Sequence, residues 1–174
     1  MRLRSSCLLF VAALGLPIST VLQAQEDVAK AIAQFRRTDP GIGKFFATAY
    51  GYAVFPSVGK GAMGIGGARG KGYVYERGRL IGRSTLTQVT IGFQLGGQAY
   101  REVIFFKDKT ALDEFTRGNF EFSAQATAVA LKAGASANLA YNGGVAIVTM
   151  TKGGLMYEAS VGGQKFSYKP VAHR

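Results

Sequence analysis

The stretch GYAVFPSVGKGAMGIGGARGKGYVY, residues 51–75, decides the fold of this chain. It contains eight glycines, and cationic side chains stand among them at Lys60, Arg69 and Lys71. A segment of this kind can form a phosphate-binding loop, a flexible linker, or strands that need glycine in order to bend. Which of these it forms determines what the protein can do.

A nucleotide-binding loop is not predicted from this stretch. Residues 59–64 (GKGAMG) match G-x-G-x-x-G, but that motif needs a following helix whose N-terminus faces the pyrophosphate. The next residues, IGGARGKG, cannot form a stable helix, because each glycine costs about 1 kcal/mol relative to alanine. The first carboxylate downstream is Glu76, too near for the ribose-binding acid expected about 20 residues on.

Curved strands explain the glycines better than a linker does. The residues between the glycines are mostly apolar, and the stretch ends on Tyr-Val-Tyr, as a strand would. Glycine within a strand permits curvature and close approach of another chain segment. We predict strands at Gly61–Gly67 and Gly70–Glu76, then a turn at Arg77-Gly78 into Arg79–Arg83. The three cations would then project from strand ends and turns near one rim.

The rest of the chain also carries strand patterns. Apolar and polar residues alternate over Leu86–Leu95, which is typical of a half-buried strand, and Arg101–Phe106 follows across Gly96-Gly97. These two segments are predicted to form a hairpin. Further strands are predicted at Val145–Met150, Leu155–Val161 and Gln164–Tyr168, with Gly162-Gly163 as a turn.

Helical spacing is found in a few short segments. It predicts a helix at Glu26–Phe35, a short helix that Asp39-Pro40 would begin, and a third at Lys109–Arg117 with Gly118 as its C-terminal cap. Phe120–Leu131 fits a strand or a helix. The predicted fold class is α+β and β-rich: a single domain of curled antiparallel sheet or barrel, with two or three accessory helices.

The N-terminus has the three parts of a secretory signal peptide. Arg2 and Arg4 precede a short apolar run, Cys7–Leu16, and the small residue Ala24 precedes polar residues. The apolar run is shorter than the about 20 residues of a transmembrane helix. Residues 1–24 are therefore predicted to be a signal peptide, and residues 25–174 an exported domain of the periplasm or cell envelope. The only cysteine would leave with the signal peptide, so no disulfide or thiolate site is expected.

The charge is strongly positive. Lys and Arg number 21 against 10 Asp and Glu, and removal of the two cations of the signal peptide leaves 19 against 10, about +9. An exported protein rarely meets nucleic acid, so an anionic surface such as phospholipid head groups is the expected counter-charge. The alternative is that the charge only maintains solubility.

Several separated motifs resemble one known family. They are GYAVFPSV with the KG that follows it, GGARGKG, TIGFQLGGQAYREVIFF and KGGLMYEASVGGQKFSY. Together they are similar to the SYLF domain family, from about Val28 to Tyr168. The resemblance implies a compact β-rich fold with accessory helices, lipid binding through basic residues, and no established catalysis. Residues 25–174 are thus identified as a SYLF-like lipid-binding domain, peripheral to membranes rather than transmembrane. No protein partner is identified.

The usual catalytic and metal-binding groups are scarce. The only histidine, His173, lies next to the C-terminus, and serine and cysteine triads would lack their base. We therefore expect no enzyme, no metal site and no cofactor.

The candidate lipid-binding residues are cations close to apolar anchors. Phe45 and Phe46 could face acyl chains, although paired aromatics on a short helix also suit a core. Arg77, Arg79 and Arg83 form a second possible patch. The cations of the predicted site are Lys44, Lys60, Arg69 and Lys71.

Three functions stay open from the sequence. The leading one is a non-enzymatic envelope protein that binds anionic phospholipid or phosphoinositide-like head groups at a basic rim. The second is a structural or assembly module that self-associates or docks a protein through sheet edges. The third is a carrier that encloses a hydrophobic molecule in the barrel.

Overall fold

A computed structural model describes residues 18–60, 67–89, 99–123, 126–152 and 159–171. Within these ranges lie helices α1 (Ile18–Thr38), α2 (Ile42–Thr48) and α3 (Lys109–Thr116), and a 3₁₀ turn at Ala135–Asn138. The strands are β1 (Gly51–Lys60), β2 (Gly67–Glu76), β3 (Arg79–Val89), β4 (Tyr100–Phe106), β5 (Phe120–Glu121), β6 (Thr127–Ala130), β7 (Val145–Thr151), β8 (Ala159–Ser160) and β9 (Gln164–Pro170).

The strands form one curled sheet in the order β5-β9-β3-β2-β1-β4-β7-β6-β8, a half-barrel. The predicted α+β, β-rich class is confirmed. The sheet is mixed rather than purely antiparallel, because β6 and β7 pair in parallel. The predicted hairpin between the segments around Gly96-Gly97 is wrong for their described strands: β3 lies between β9 and β2, and β4 between β1 and β7. Residues 90–98 lie outside the described residues.

The glycine-rich stretch forms strands, as predicted for Gly70–Glu76, and β2 already begins at Gly67. The rest of the strand predicted at Gly61–Gly67 lies outside the described residues. Position 72 requires glycine for a steric reason, because a Cβ there would lie 2.5 Å from two ring carbons of Phe55 on β1. The predicted turn is confirmed, since Arg77 and Gly78 have φ of 48° and 79° and join β2 to β3 as a two-residue hairpin.

The sheet has an apolar core on each face. The inner, concave face packs aromatic rings around Phe166, and α3 closes it by placing Phe115 at 5.1 Å from the Phe166 ring and 4.9 Å from the Phe106 ring. The outer face packs against α1 and α2, whose Phe35 and Ile42 are fully buried. Helices α1 and α2 therefore cover part of the outer face.

The helices agree with the sequence except at their ends. α1 begins at Ile18, inside the segment predicted as signal peptide, and runs to Thr38. Asp39 does not cap α2 directly. Its carboxylate accepts from the backbone N–H of Gly41 at 3.0 Å and of Ser136 at 2.7 Å, which ties the start of α2 to the 3₁₀ turn. No helix in the described ranges is both long and apolar enough to cross a bilayer.

The other predicted helices and strands are confirmed wherever the structure describes their residues. α3 is confirmed, with the Asp108 side chain capping it through the Ala111 N–H at 3.0 Å and Gly118 following at φ 91°. The ambiguous segment Phe120–Leu131 contains two short strands, β5 and β6. Of the strand predicted at Leu155–Val161, residues 155–158 lie outside the described residues. The strands predicted near the C-terminus as Val145–Met150 and Gln164–Tyr168 are confirmed as β7 and β9.

Candidate functional site

An open groove of about 510 Å³ runs between the N-terminal part of α1 and strands β1 and β2. Helix α1 contributes polar and small side chains, β1 contributes a proline and a serine, and β2 contributes two cations and a tyrosine. The described lining residues are Gln23, Ala24, Asp27, Pro56, Ser57, Arg69, Gly70, Lys71 and Tyr73.

The alternation R-G-K-G-Y on β2 places the cations in this groove. Successive side chains of a strand point to opposite faces, so Arg69, Lys71 and Tyr73 share the outer face, and Gly70 and Gly72 occupy the inner face. At these two positions the inner face has no room for a larger residue. A Cβ at Gly70 would lie 2.8 Å from a methyl group of Val58. The glycines therefore allow close packing on the inner face, and the side chains between them lie on the outer surface.

The groove has a positive lining with one opposing charge. Arg69 and Lys71 are exposed, and no carboxylate of the described residues lies within salt-bridge distance of either. Asp27 is the acidic residue among the described lining, and its carboxylate accepts a hydrogen bond from Gln23 at 3.3 Å. An anion in the groove would meet two cations and one carboxylate. Asp27 and Tyr73 were not predicted as residues of this site. The sequence gives no sign of Asp27 there, because only the fold places α1 beside β2.

Two of the predicted cations differ from this pair. Lys60 is the last residue of β1 and its register partner on β2 is Ala68. Its side chain is outside what the structure describes. Lys44 is exposed on α2, whose Phe46 ring contacts Tyr52 at 5.3 Å. The register partner of Tyr52 is Tyr75, six residues along β2 from Arg69, or about 20 Å at the usual strand rise. The structure therefore does not bring Lys44 into the groove.

Phe45 and Phe46 pack on the outer core. Their ring centroids lie 5.6 Å and 4.9 Å from that of Phe105, and both side chains are half-buried. The Arg36 guanidinium lies over the Phe46 ring at 5.3 Å. These contacts hold α2 on the sheet. A direct contact of either ring with lipid stays a prediction.

The fold separates Arg77 from Arg83, two members of the second possible patch. Arg77 lies over the ring of Tyr50, 4.9 Å from its centroid, at the β2–β3 turn. Arg83 instead lies on the outer face of β3, directly opposite Tyr73. Arg83 is therefore a neighbour of the groove, and Arg77 is engaged with an aromatic ring.

A separate polar cluster occupies the inner face of the half-barrel. The Gln164 amide donates to Glu102 Oε2 at 3.0 Å and to the Tyr100 hydroxyl at 3.2 Å, and Gln88 lies beside them. Burial raises the pKa of Glu102 to about 8, so its carboxyl is mainly protonated at neutral pH. The same burial raises the pKa of Tyr100. Within the described ranges, no group of three or more His, Cys, Asp or Glu could hold a metal ion.

Comparison with known proteins agrees with the motifs. Residues 87–172 match the family described as Ysc84: Las17-binding protein actin regulator. The chain is also 31% identical over 139 residues to Beta cell expansion factor A of Aeromonas veronii, an alignment covering 78% of this chain and 52% of that protein. The chain thus spans about half the length of this curated relative. Neither description is that of an enzyme. The chain belongs to the Ysc84 family and carries the SYLF domain that its motifs resemble.

Proposed function

We propose that this protein is a non-enzymatic, exported lipid-binding protein that recognises anionic head groups through the groove of Arg69 and Lys71. The observation that carries this proposal is the pair of exposed cations on one face of β2, without a carboxylate partner among the described residues. Membership of the SYLF family supports a lipid-binding domain in general. The groove and its charge support an anionic head group in particular.

The composition of the groove suits an amphiphile. Two cations can bind a phosphate, Arg69 with a planar fork of N–H donors and Lys71 as a point charge. Pro56 and the Tyr73 ring lie in the same groove and offer apolar contact to the part of a lipid next to its head group. A free inorganic anion would not use these apolar neighbours.

The expected strength of the interaction is modest. Each Lys or Arg near an anionic membrane surface contributes about 1 kcal/mol, so two acting together contribute on the order of 30-fold in affinity. The contribution of exposed charges falls with salt, because the Debye length shortens from about 10 Å at 0.1 M to about 3 Å at 1 M. Binding by this groove should therefore be peripheral and reversible.

Cleavage of the predicted signal peptide during export would change the wall of the same groove. Gln23 and Ala24 line it and precede the predicted cleavage point after Ala24. Removal of residues 1–24 would take these two side chains out of the wall and open the groove at that end. Fractionation of cells, with N-terminal sequencing of the recovered protein, tests export directly. A protein recovered in the cytoplasm with its N-terminus intact would contradict that part of the proposal.

Co-sedimentation with vesicles tests lipid binding. The purified protein should sediment with phosphatidylglycerol vesicles, less with phosphatidylcholine vesicles, and dissociate as salt rises. Replacement of Lys60, Arg69 and Lys71 together by Glu should abolish this binding while circular dichroism shows the fold retained. If a folded variant binds as well as the unchanged protein, these residues do not belong to the lipid-binding site.

A further inference from the structure

The inner face of the half-barrel changes from apolar to polar along its length. Next to α3 it carries the aromatic rings around Phe166. At the other end of β4 and β9 it carries the side chains of Tyr100, Glu102 and Gln164, all of which are buried. Polar groups removed from water to this extent need partners inside the protein. We call Tyr100, Glu102 and Gln164 the interior polar site.

Two oxygen atoms of the interior polar site, Glu102 Oε1 and Gln164 Oε1, have no hydrogen-bond partner among the described residues. The other polar atoms of the same two groups are in contact, since Gln164 Nε2 donates to Glu102 Oε2 at 3.0 Å. Each unpartnered oxygen is bonded to the same carbon as one atom of that contact, so both belong to one small region of the interior. Ser84 Oγ also lacks a partner, but it lies farther along β3, beyond Leu86.

A proton on Glu102 does not provide these atoms with partners. A proton on Oε1 has no acceptor, and a proton on Oε2 has only the donating Gln164 amide at hydrogen-bond distance among the described residues. Reversal of the Gln164 amide would let its oxygen accept from Oε2–H and from the Tyr100 hydroxyl. The NH₂ group of Gln164 would then take the unpartnered position. Either arrangement leaves a buried polar group unpaired, which is unfavourable.

The groups around this region are rich in oxygen. The Tyr100 hydroxyl donates to Gln88 Oε1 at 3.4 Å, and the buried Thr149 on β7 is the register partner of Glu102. Carboxylate, amide and hydroxyl oxygens are the ligands that hard cations prefer. Among the described residues, no Lys or Arg forms a salt bridge with Glu102. One carboxylate balances a single positive charge, whereas a divalent cation would leave a net charge in the core.

We propose that the interior polar site binds a monovalent alkali cation, sodium or potassium, which joins β4 to β9 through the core. Glu102 Oε1 and Gln164 Oε1 are its ligands, and Glu102 is ionised when the cation is bound. This proposal does not depend on lipid binding. The sequence predicted no metal site because it lacks clusters of His, Cys and carboxylates, but a monovalent cation needs only one carboxylate.

A proton and the cation compete for Glu102. Burial raises the pKa of this carboxyl to about 8 when no cation is bound. Cation affinity should therefore fall about tenfold for each pH unit below that pKa. Tyr100 is the titratable group that faces Glu102, and burial raises its pKa, so it stays neutral. The register partners of Glu102, Phe55 and Thr149, do not titrate.

Thermal unfolding at constant chloride concentration tests the proposal. Sodium and potassium chloride are compared with tetramethylammonium chloride, whose cation is too large for coordination by these oxygens. At pH 9 the unchanged protein should have a higher Tm in sodium or potassium, and at pH 5 this difference should disappear. Glu102→Gln cannot ionise, so its Tm should be the same in all three salts. Glu114→Gln alters the charge equally at an exposed position of α3 and should respond as the unchanged protein does.

Sodium NMR measures binding without unfolding the protein. The chain has a net charge of +11, which keeps sodium away from the surface, so broadening of the sodium signal reports a specific site. The unchanged protein should broaden the signal at pH 9, and Glu102→Gln should not. If Glu102→Gln does not fold, Tyr100→Phe provides a second variant. It removes one neighbouring oxygen and keeps the ring, so it should weaken sodium binding and keep its pH dependence.

Three results would contradict the proposal. Equal Tm values in the three salts at pH 9, with no broadening of the sodium signal, would mean that Glu102 is simply a neutral buried carboxyl. A salt effect that Glu102→Gln retains would place the cation elsewhere. Stabilisation by calcium alone would contradict the assignment of a single positive charge. Vesicle binding by the groove is tested separately and is unaffected by any of these results.

Discussion

Glu102 and Gln164 meet across the inside of the half-barrel, where the Gln164 amide donates to Glu102 Oε2 at 3.0 Å. Glu102 lies on β4 and Gln164 on β9, which β1, β2 and β3 separate in the sheet. Both side chains are fully buried, and Glu102 Oε1 and Gln164 Oε1 have no hydrogen-bond partner among the described residues. A polar contact thus joins two distant strands through the core, and one of its partners is a buried carboxyl group.

The burial of Glu102 predicts a pH dependence of stability. Burial raises the folded-state pKa of Glu102 from 4.5 to about 8. Between these values the unfolded chain gives up a proton that the folded protein keeps, so Glu102 lowers the free energy of unfolding by up to about 1.4 kcal/mol per pH unit. Its contribution is most favourable below pH 4.5, falls as pH rises, and levels off above pH 8.

Glu102→Gln tests this dependence, since it keeps a similar shape and cannot ionise. Urea unfolding from pH 5 to pH 9 should show the variant gaining stability relative to the unchanged protein as pH rises. A difference in unfolding free energy that is the same at every pH would show that Glu102 is ionised in the folded protein.

Two glycines of the same stretch provide a matched test of its packing. Gly72→Ala would bring a Cβ to 2.5 Å from the Phe55 ring, which cannot withdraw easily because it packs against Phe166 at 5.6 Å between centroids. We expect a loss of about 1–3 kcal/mol in unfolding free energy. At Gly59 a Cβ would meet no described atom within 4 Å, so Gly59→Ala should be close to neutral. Equal stability of the two variants in urea would contradict a steric requirement at Gly72.

The local elements were predictable because their signals are local. The turn at Arg77-Gly78 follows from residues that tolerate positive φ, and α3 from apolar spacing with a capping acid before it and Gly118 after it. The pairing of β4 was not predictable, since its neighbours in the sheet, β1 and β7, are distant from it in sequence, and β9 pairs with β3 from the far end of the chain. Neighbouring turn glycines indicate a reversal of the chain but do not identify the partner strand.

The candidate site was predictable only in part for the same reason. Arg69 and Lys71 stand out because they alternate with glycine on one strand. Asp27 reaches the groove through the packing of α1, and Lys169 meets Arg83 through strand register. Sequence proximity grouped Arg83 with Arg77, whereas the sheet places Arg83 beside Tyr73. Contacts across strands need the register, and a single sequence does not contain it.

Asp27 should weaken the binding of anions in the groove, because its carboxylate is a like charge for a phosphate. Asp27→Asn should therefore increase affinity for phosphatidylglycerol vesicles, by about 5-fold for one charge near the surface. Glu114→Gln changes the net charge equally at an exposed position of α3 and should have little effect. Equal gains in the two variants would mean that net charge, rather than the groove, determines binding.

The most direct measurement of the central claim is co-sedimentation of a charge-reversed groove variant. Arg69→Glu, Lys71→Glu is compared with Lys107→Glu, Lys132→Glu, which has the same net charge, using phosphatidylglycerol vesicles at low and high salt. The groove variant should lose binding, and the loop variant and the unchanged protein should bind at low salt and dissociate near 1 M. If the folded groove variant binds as well as the loop variant, Arg69 and Lys71 do not form the lipid site.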